Sequence, residues 1–410
     1  MMFAAALSLA AGTTQAQPFY EFEIVARDGD TVGGRSIDFL SGAALINDNG
    51  EVAFSGGSGS GSDGVLAVWS TTDLLLVEGQ DLGGGVTVPE FTLATFAFNN
   101  AGEAAVTGFF DQDEGIYTSA GTVITPGDTI GGATISGDFD GNVALADDGT
   151  AFFIADVETA PGVFTTTVFS STAVLAQEGD TIGGVTLTDI GSRGVSGSFG
   201  IDDAGNAVFF NNPLGSSSSP TAIVSTAGFA LEEGSAFPSG PLAGQTIDEI
   251  NNSSYAFAVN GQGDILFDGS VGGVEGVYSQ NGLVIADGVV SGIDSDFVFG
   301  NDLNDNGTFA AFFTDFITID RGIVVDGELV LTDLDTIAGL EIDSIDAFSS
   351  IDLNNRGDFV FTARLFDGNG DRFGAVVVAT LVPEPSSLAL LGLGGLTLLR
   401  RRRRGRRTPS

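Results

Sequence analysis

Short apolar runs, rich in Val, Ile and Phe and bounded by Gly, Asn and Asp, follow one another from Phe19 to Ala379. Apolar positions do not recur at helical spacing, so the pattern predicts strands joined by tight turns. The runs also repeat as a set, with a period of roughly 50 residues. One recurring element is an acidic residue or proline followed by Gly-Asp-Thr-Ile-Gly-Gly or a variant. It stands at Asp28–Gly34, Glu78–Gly84, Pro126–Gly132 and Glu178–Gly184, and in weaker form at Glu233-Gly234, Asp287-Gly288 and Asp333–Gly339. A second element is a polar turn closed by glycine, at Asn47–Gly50, Asn99–Gly102, Ala146–Gly149, Asp202–Gly205, Asn260–Gly263, Asn304–Gly307 and Asn354–Gly357. Asn and Asp form side-chain turns and glycine supplies the positive φ that closes them, so these are expected hairpin tips. A third element, usually glycine-led, enters a β-branched or aromatic strand, as in Gly64–Trp69, Gly276–Tyr278 and Gly374–Val378, with Thr221–Val224 filling the fourth unit.

Each unit therefore holds about four short strands, the content of one propeller blade. The seven units predict an all-β, seven-bladed β-propeller, with six or eight blades left open by the degenerate fifth and sixth units. Phe19 to Ala26 precedes the first complete unit as a lone strand, while Gly374 to Ala379 ends the last without a partner. Placed side by side, these two strands would close the ring and leave no open edge. Phenylalanines such as Phe54, Phe153, Phe209, Phe267 and Phe361 fall at equivalent points and are expected to pack between blades rather than to form a sugar-stacking platform.

Composition narrows the chemistry. The chain has no histidine or cysteine, and all 14 of its basic residues are arginines, seven of them after Leu399. That removes Ser-His-Asp and Cys-His nucleophiles, Schiff-base lysines, P-loops and His-ligated zinc. A body cut after Ala16 and at Pro383 would carry seven arginines against 53 acidic residues, a net charge of −46. Nucleic acid is excluded as a partner, because it needs a basic face. Paired-carboxylate chemistry, as in glycoside hydrolysis, survives. The stretch Glu232 to Asn252, with Glu232, Glu233, Asp248 and Glu249, departs most from the repeat and is where such a pair would be sought. Calcium is the one cofactor with a candidate loop, Asp367-Gly368-Asn369-Gly370-Asp371, in which Asp367, Asn369 and Asp371 alternate like the first half of a calcium-binding turn. Val378 stands where the closing glutamate belongs, and an ordinary hairpin turn is the competing reading. Asn304–Gly307 and the group Asp294, Asp296, Asp302 are weaker candidates of the same kind.

The end of the chain has a different character. Val382 to Ser387 reads VPEPSS, Leu388 to Leu399 is apolar apart from glycines and Thr397, and Arg400, Arg401, Arg402, Arg403 and Arg404 form an unbroken block. The arginine block would stay on the cytoplasmic side and leave the body outside that membrane. Twelve helical residues span only about 18 Å against a hydrocarbon core of roughly 30 Å, which suits a transient stop better than a lasting anchor. At the other end, Met2 to Ala11 is small and apolar, and Thr14-Gln15-Ala16 fits a signal-peptidase site, although no basic n-region precedes it.

The order Pro-Glu-Pro, apolar helix, arginine block resembles a PEP-CTERM sorting tail, by which some Gram-negative bacteria hand exported proteins to an exosortase. With the N-terminal segment and the repeats read above, this resemblance divides the chain into an expected signal peptide over 1–16, a propeller over 17–381 and a sorting tail over 382–410 with a transmembrane sorting helix. It implies processing near Pro383, Glu384 and Pro385, and an exosortase-type enzyme as partner. It places the protein on the cell surface or in the extracellular matrix after a transient stay in the inner membrane. The repeats are also similar to an uncharacterised repeat family of exported planctomycete-type proteins, which implies no activity. Two functions follow as expectations. One is a non-catalytic surface protein that binds polysaccharide, other surface proteins or cations; the other is a secreted carboxylate-dependent carbohydrate-active enzyme.

Overall fold

The computed structural model describes residues 19–382, apart from 60–63, 109–113, 192–198, 212–219, 239, 252–256, 281, 287, 291–292, 296, 315–320 and 346–350. The expected signal peptide lies outside these residues, as does the expected sorting tail beyond Val382. Seven antiparallel sheets follow one another around a ring. In blade 1 the strands Phe39–Ile46, Val52–Ser58, Val65–Ser70 and Leu74–Val77 pair in sequence order from the inside outward. Blades 2 to 6 repeat this order, their second strands being Ala104–Gly108, Ala151–Ala160, Ala207–Asn211, Ile265–Val271 and Phe309–Thr314.

Blade 7 joins both parts of the chain. Its inner and middle strands, Asp352–Leu353, Phe359–Phe366 and Arg372–Val382, come from the end of the repeat region, and its outer strand is Phe19–Arg27. Phe19 pairs with Val382, Tyr20 with Leu381 and Arg27 with Ala375. The two lone strands expected from the sequence thus complete one blade.

The core lies between blades. Tyr20, Phe359 and Phe361 of blade 7 pack with Phe312 and Ile323 of blade 6, while Val360 and Val376 meet Phe54 and Trp69 of blade 1. Phe54, Phe153, Phe209, Phe267 and Phe361 are all fully buried, as their equivalent places in the repeat require.

The Gly-Asp-Thr-Ile-Gly-Gly elements are small hairpins of their own rather than bare turns. Thr31–Val32 pairs with Arg35–Ser36, and Thr181–Ile182 with Val185–Thr186, carrying the chain from the outer strand of one blade to the inner strand of the next. Gly33 has φ +57°, and a Cβ there would lie 2.5 Å from the backbone nitrogen of Leu74, so only glycine lets the hairpin rest on the outer strand of blade 1. The leading acid is also structural. Asp28, Glu78, Glu178 and Glu233 accept the backbone N–H of Gly374, Leu66, Thr166 and Thr221, each within or just before a blade's third strand. The central Asp of the element accepts an N–H three residues back, from Arg27 to Asp30, Thr125 to Asp128 and Gln177 to Asp180. Part of the acidic excess is therefore bound up in backbone clamps.

Candidate functional site

The polar turns all lie on one face and ring the mouth of the central channel. The first residue of each turn is buried, apart from the half-buried Ala146. Asn47, Asn99, Asn260, Asn304 and Asn354 use their Oδ1 to accept N–H groups of their own turn, as Asn354 does from Arg356 and Asp358 at 3.0 Å each. The amide nitrogen then reaches the next blade. Asn47 donates to Asn99 O (3.1 Å), Asn99 to Ala146 O (2.9 Å), Asn260 to Asn304 O, Asn304 to Asn354 O (both 3.0 Å) and Asn354 to Asn47 O (3.3 Å). This girdle lapses where Ala146 and Asp202 lack an amide, and there Asp203 N donates to Gly261 O at 2.8 Å instead.

The second residue of each turn lies at the rim, in the order Asp48, Asn100, Asp147, Asp203, Gly261, Asp305, Asn355. Acids and amides alternate over five blades. Asn100 Nδ2 reaches Asp147 at 3.0 Å and Asp48 at 3.4 Å; Asn355 Nδ2 reaches Asp48 at 3.0 Å and Asp305 at 2.7 Å. Each amide thus bridges two carboxylates and offsets their repulsion. Asp203 has no such neighbour and folds over Gly261, where a Cβ would lie 2.6 Å from its Oδ1. Burial, then the charges of Asp305, Asp147, Asp202 and Asp48, push its carboxyl above the usual range. The second oxygen of Asp305 is buried and meets no donor among the described residues.

Just inside the rim, two carboxylates break the repeat. The position two before the turn asparagine holds Leu45, Ala97, Ala144, Gly200 and Ala258 in blades 1 to 5, but Asp302 in blade 6 and Asp352 in blade 7. Asp302 Oδ2 accepts the N–H of Leu353, and Asp352 Oδ2 that of Ile46, both at 2.6 Å. Burial pushes the Asp302 carboxyl up to about 6. Burial, and then the charge of Asp302, hold Asp352 well above the carboxylate range.

The acids singled out in Glu232 to Asn252 stand elsewhere. Glu233 clamps the N–H groups of Thr221 (3.0 Å) and Ile250 (2.9 Å), Asp248 accepts from Gly273 (2.7 Å), and Asp248 and Glu249 are exposed. Asp302 stands apart from Asp294 and Asp296, its neighbours in sequence. Asp294 lies in the hairpin Gly288–Val290 with Ile293–Ser295, and Asp296 falls outside the described residues. Asp367, Asn369 and Asp371 form the turn between Phe359–Phe366 and Arg372–Val382. There Asp367 Oδ1 accepts the N–H groups of Asn369 (2.8 Å) and Asp371 (2.9 Å), which hold its carboxyl below the usual range. Among the described residues no three acids converge to hold a metal ion. Pro383, Glu384, Pro385 and the arginine block Arg400 to Arg404 follow the last described residue. No helix among the described residues is long and apolar enough to cross a membrane.

Comparison with known proteins bears on the two parts separately. No curated protein matches the chain. Among solved structures it is similar to the subtype N11 neuraminidase-like protein of A/flat-faced bat/Peru, at 10% identity over 90% of this chain and 96% of that one, with a TM-score of 0.35. It is also similar to a protein of unknown function from Dyadobacter fermentans, at 8% identity over 88% and 99% of the two chains, TM-score 0.31. Porphyromonas gingivalis dipeptidyl peptidase 4 aligns at 8% identity over 82% of this chain and 53% of its own, TM-score 0.35. Likeness at this level carries nothing about activity, and the propeller is established by the chain's own strand order. Residues 381–404 match the PEP-CTERM protein-sorting motif. The chain is a seven-bladed propeller bearing a PEP-CTERM sorting signal, which marks it as an exported protein for an exosortase.

Proposed function

We propose that this is a non-catalytic surface or matrix protein of a Gram-negative-type bacterium. The tail holds it briefly in the inner membrane through the apolar segment and Arg400 to Arg404, an exosortase acts near Pro383 to Pro385, and the freed propeller binds polysaccharide or other surface proteins. The observation that carries this reading is the register of blade 7. Its third strand runs to Val382, one residue before the Pro-Glu-Pro, and pairs there with Phe19. Release at Pro383 therefore costs the propeller no strand. The test is the intact mass of the protein in membrane and extracellular-matrix fractions of the producing cells. A mass lacking the residues after about position 383, found outside the cell, supports the reading. A full-length chain confined to the membrane would instead make it a permanently anchored protein.

A second reading is favoured by Asp302 and Asp352. Two neighbouring, half-buried carboxylates with raised affinity for protons, inside the channel mouth, are what a carboxylate-dependent carbohydrate-active enzyme would need. Glycan hydrolysis by the purified protein, lost in both Asp302→Asn and Asp352→Asn, would establish it. Absence of turnover on a broad glycan panel would remove it.

A further inference from the structure

The chain enters the propeller at Phe19 and leaves it at Val382, both on the turn face. The strand Arg372–Val382 runs toward that face, and its Ala379 lies opposite Phe359, the first strand residue after the turn Asn354–Gly357. Leu381 and Val382 therefore reach past the end of the neighbouring strand and lie against the turn itself. Leu381 N donates to Asp358 Oδ1 at 3.1 Å, and a Cβ on Gly357 would lie 3.1 Å from Leu381 Cδ2. Pro383 thus follows on the face that carries the asparagine girdle and the channel mouth. Apolar side chains border this exit: Phe19, paired with Val382, is 60% exposed and Leu381 36%.

Chain lengths then fix how far the propeller can stand from a membrane that holds the tail. Five residues, Pro383 to Ser387, separate Val382 from the apolar segment Leu388 to Leu399, and the arginine block follows at once. Extended, five residues reach at most about 18 Å. Twelve helical residues add about 18 Å, so the two together reach about 36 Å. The arginines stay at the cytoplasmic edge of the hydrocarbon core, and from there to the outer headgroups is also about 36 Å. No slack remains to hold the turn face clear of the headgroups, and Phe19 and Leu381 are the side chains it would press into them. The acidic body has no affinity of its own for an anionic surface, so the contact lasts only as long as the tether.

We propose that, while the tail is in the membrane, the propeller rests turn face down on the outer headgroups, so that lipid covers the channel mouth with Asp302 and Asp352, and that release near Pro383 uncovers it. Whatever enters at the mouth then meets only the freed protein. The assignment rests on the reading above that the tail holds the propeller in the membrane before release.

The chain has no cysteine, so a single introduced one reports one place. Ala101 and Ala204 are exposed on the turn face, in blades 2 and 4, and Ala160 is exposed on the opposite face, at the hairpin tip of blade 3. Full-length Ala101→Cys, Ala204→Cys and Ala160→Cys are reconstituted, propeller outside, into liposomes of phosphatidylethanolamine and phosphatidylglycerol and treated with a bulky polyethylene-glycol maleimide. Ala160→Cys is expected to label fully and both turn-face variants to lose labelling, while small N-ethylmaleimide reaches all three. Inserting about twenty Gly and Ser residues after Ser387 adds roughly 25 Å of reach and should restore labelling of the turn face. Equal labelling of all three variants on the natural tether, or protection that persists on the longer one, would overturn the proposal. So would protection in blade 2 with free labelling in blade 4, across the ring from blade 7, because a tilted propeller leaves the mouth open. The underlying reading fails in a different experiment. A chain never found in the membranes of producing cells removes the tether, whereas turn-face labelling in liposomes overturns only the orientation.

Discussion

Asp302 and Asp352 occupy the same position in successive blades, and each carboxylate accepts the backbone N–H of the residue just before the turn asparagine of the following blade. The two acids thus stitch blade 6 to blade 7 and blade 7 to blade 1, around the one blade assembled from distant parts of the chain. Their mutual repulsion in a desolvated place sets a cost against that stitch.

The contribution of these acids to stability should accordingly depend on pH in the opposite sense to that of a carboxylate held by an ion pair. A carboxyl whose folded pKa is raised binds its proton more readily in the native state than in the unfolded one. Its contribution is full below the unfolded value and is lost as pH rises through the folded value. For Asp302 the loss falls between about pH 4 and about pH 6, and Asp352 and Asp203 are raised in the same direction. The melting temperature should therefore rise as pH is lowered from 7 to 5, and Asp302→Asn should raise it at pH 7 while flattening the profile. A melting temperature that falls over that interval would contradict this account.

The girdle of turn asparagines predicts a large effect from a small truncation. Asn354→Ala removes the acceptor of the Arg356 and Asp358 N–H groups and the donor to Asn47 O in a buried site. The expected cost is about 3 kcal/mol, a fall of roughly 5 °C in the melting temperature. The alanine that stands naturally at position 146 shows that a turn can form without the amide, so the variant should fold. A loss under about 0.5 kcal/mol would mean the girdle adds nothing to the strands.

Adjacent glycines of the linking hairpin should respond differently. Gly34→Ala meets no atom within 4 Å and should cost only the strain of its positive φ, about 1 kcal/mol. Gly33→Ala drives a methyl into the Leu74 backbone and should cost at least about 3 kcal/mol in urea unfolding. Equal costs would show that contact with blade 1 is dispensable.

A chain ending at Val382 should melt as cooperatively as the full-length protein, because every strand of blade 7 is retained. A chain ending at Asp371 loses Arg372–Val382, the partner of both Phe359–Phe366 and Phe19–Arg27, and should give no cooperative transition by calorimetry. A sharp transition in the shorter chain would show that the ring tolerates an open blade.

The architecture was legible because its signals are local and repeated. Asn-x-x-Gly turns and β-branched runs named the hairpins, and the unpaired strands at Phe19 and Gly374 named the closure. The linking hairpins were not legible as strands, since two-residue arms such as Thr31–Val32 carry no periodicity. The channel acids escaped for another reason. Asp302 and Asp352 sit in strings already full of Asp and Asn, and only superposition of the units shows them replacing Leu45, Ala97 and Ala258.

Closure by the two ends also orders events in time. Asp28 and Gly374, joined by a hydrogen bond across 346 positions, cannot meet until almost the whole repeat region has emerged. Such distant pairing is slow, because the entropy of closing a long loop must be met before any contact rewards it. For an exported chain, the propeller is therefore completed only once the strand Arg372–Val382 is outside, just ahead of the sorting signal. Folding and sorting become successive events at one place, and a chain stalled short of its last strand stays an open ring within reach of proteases.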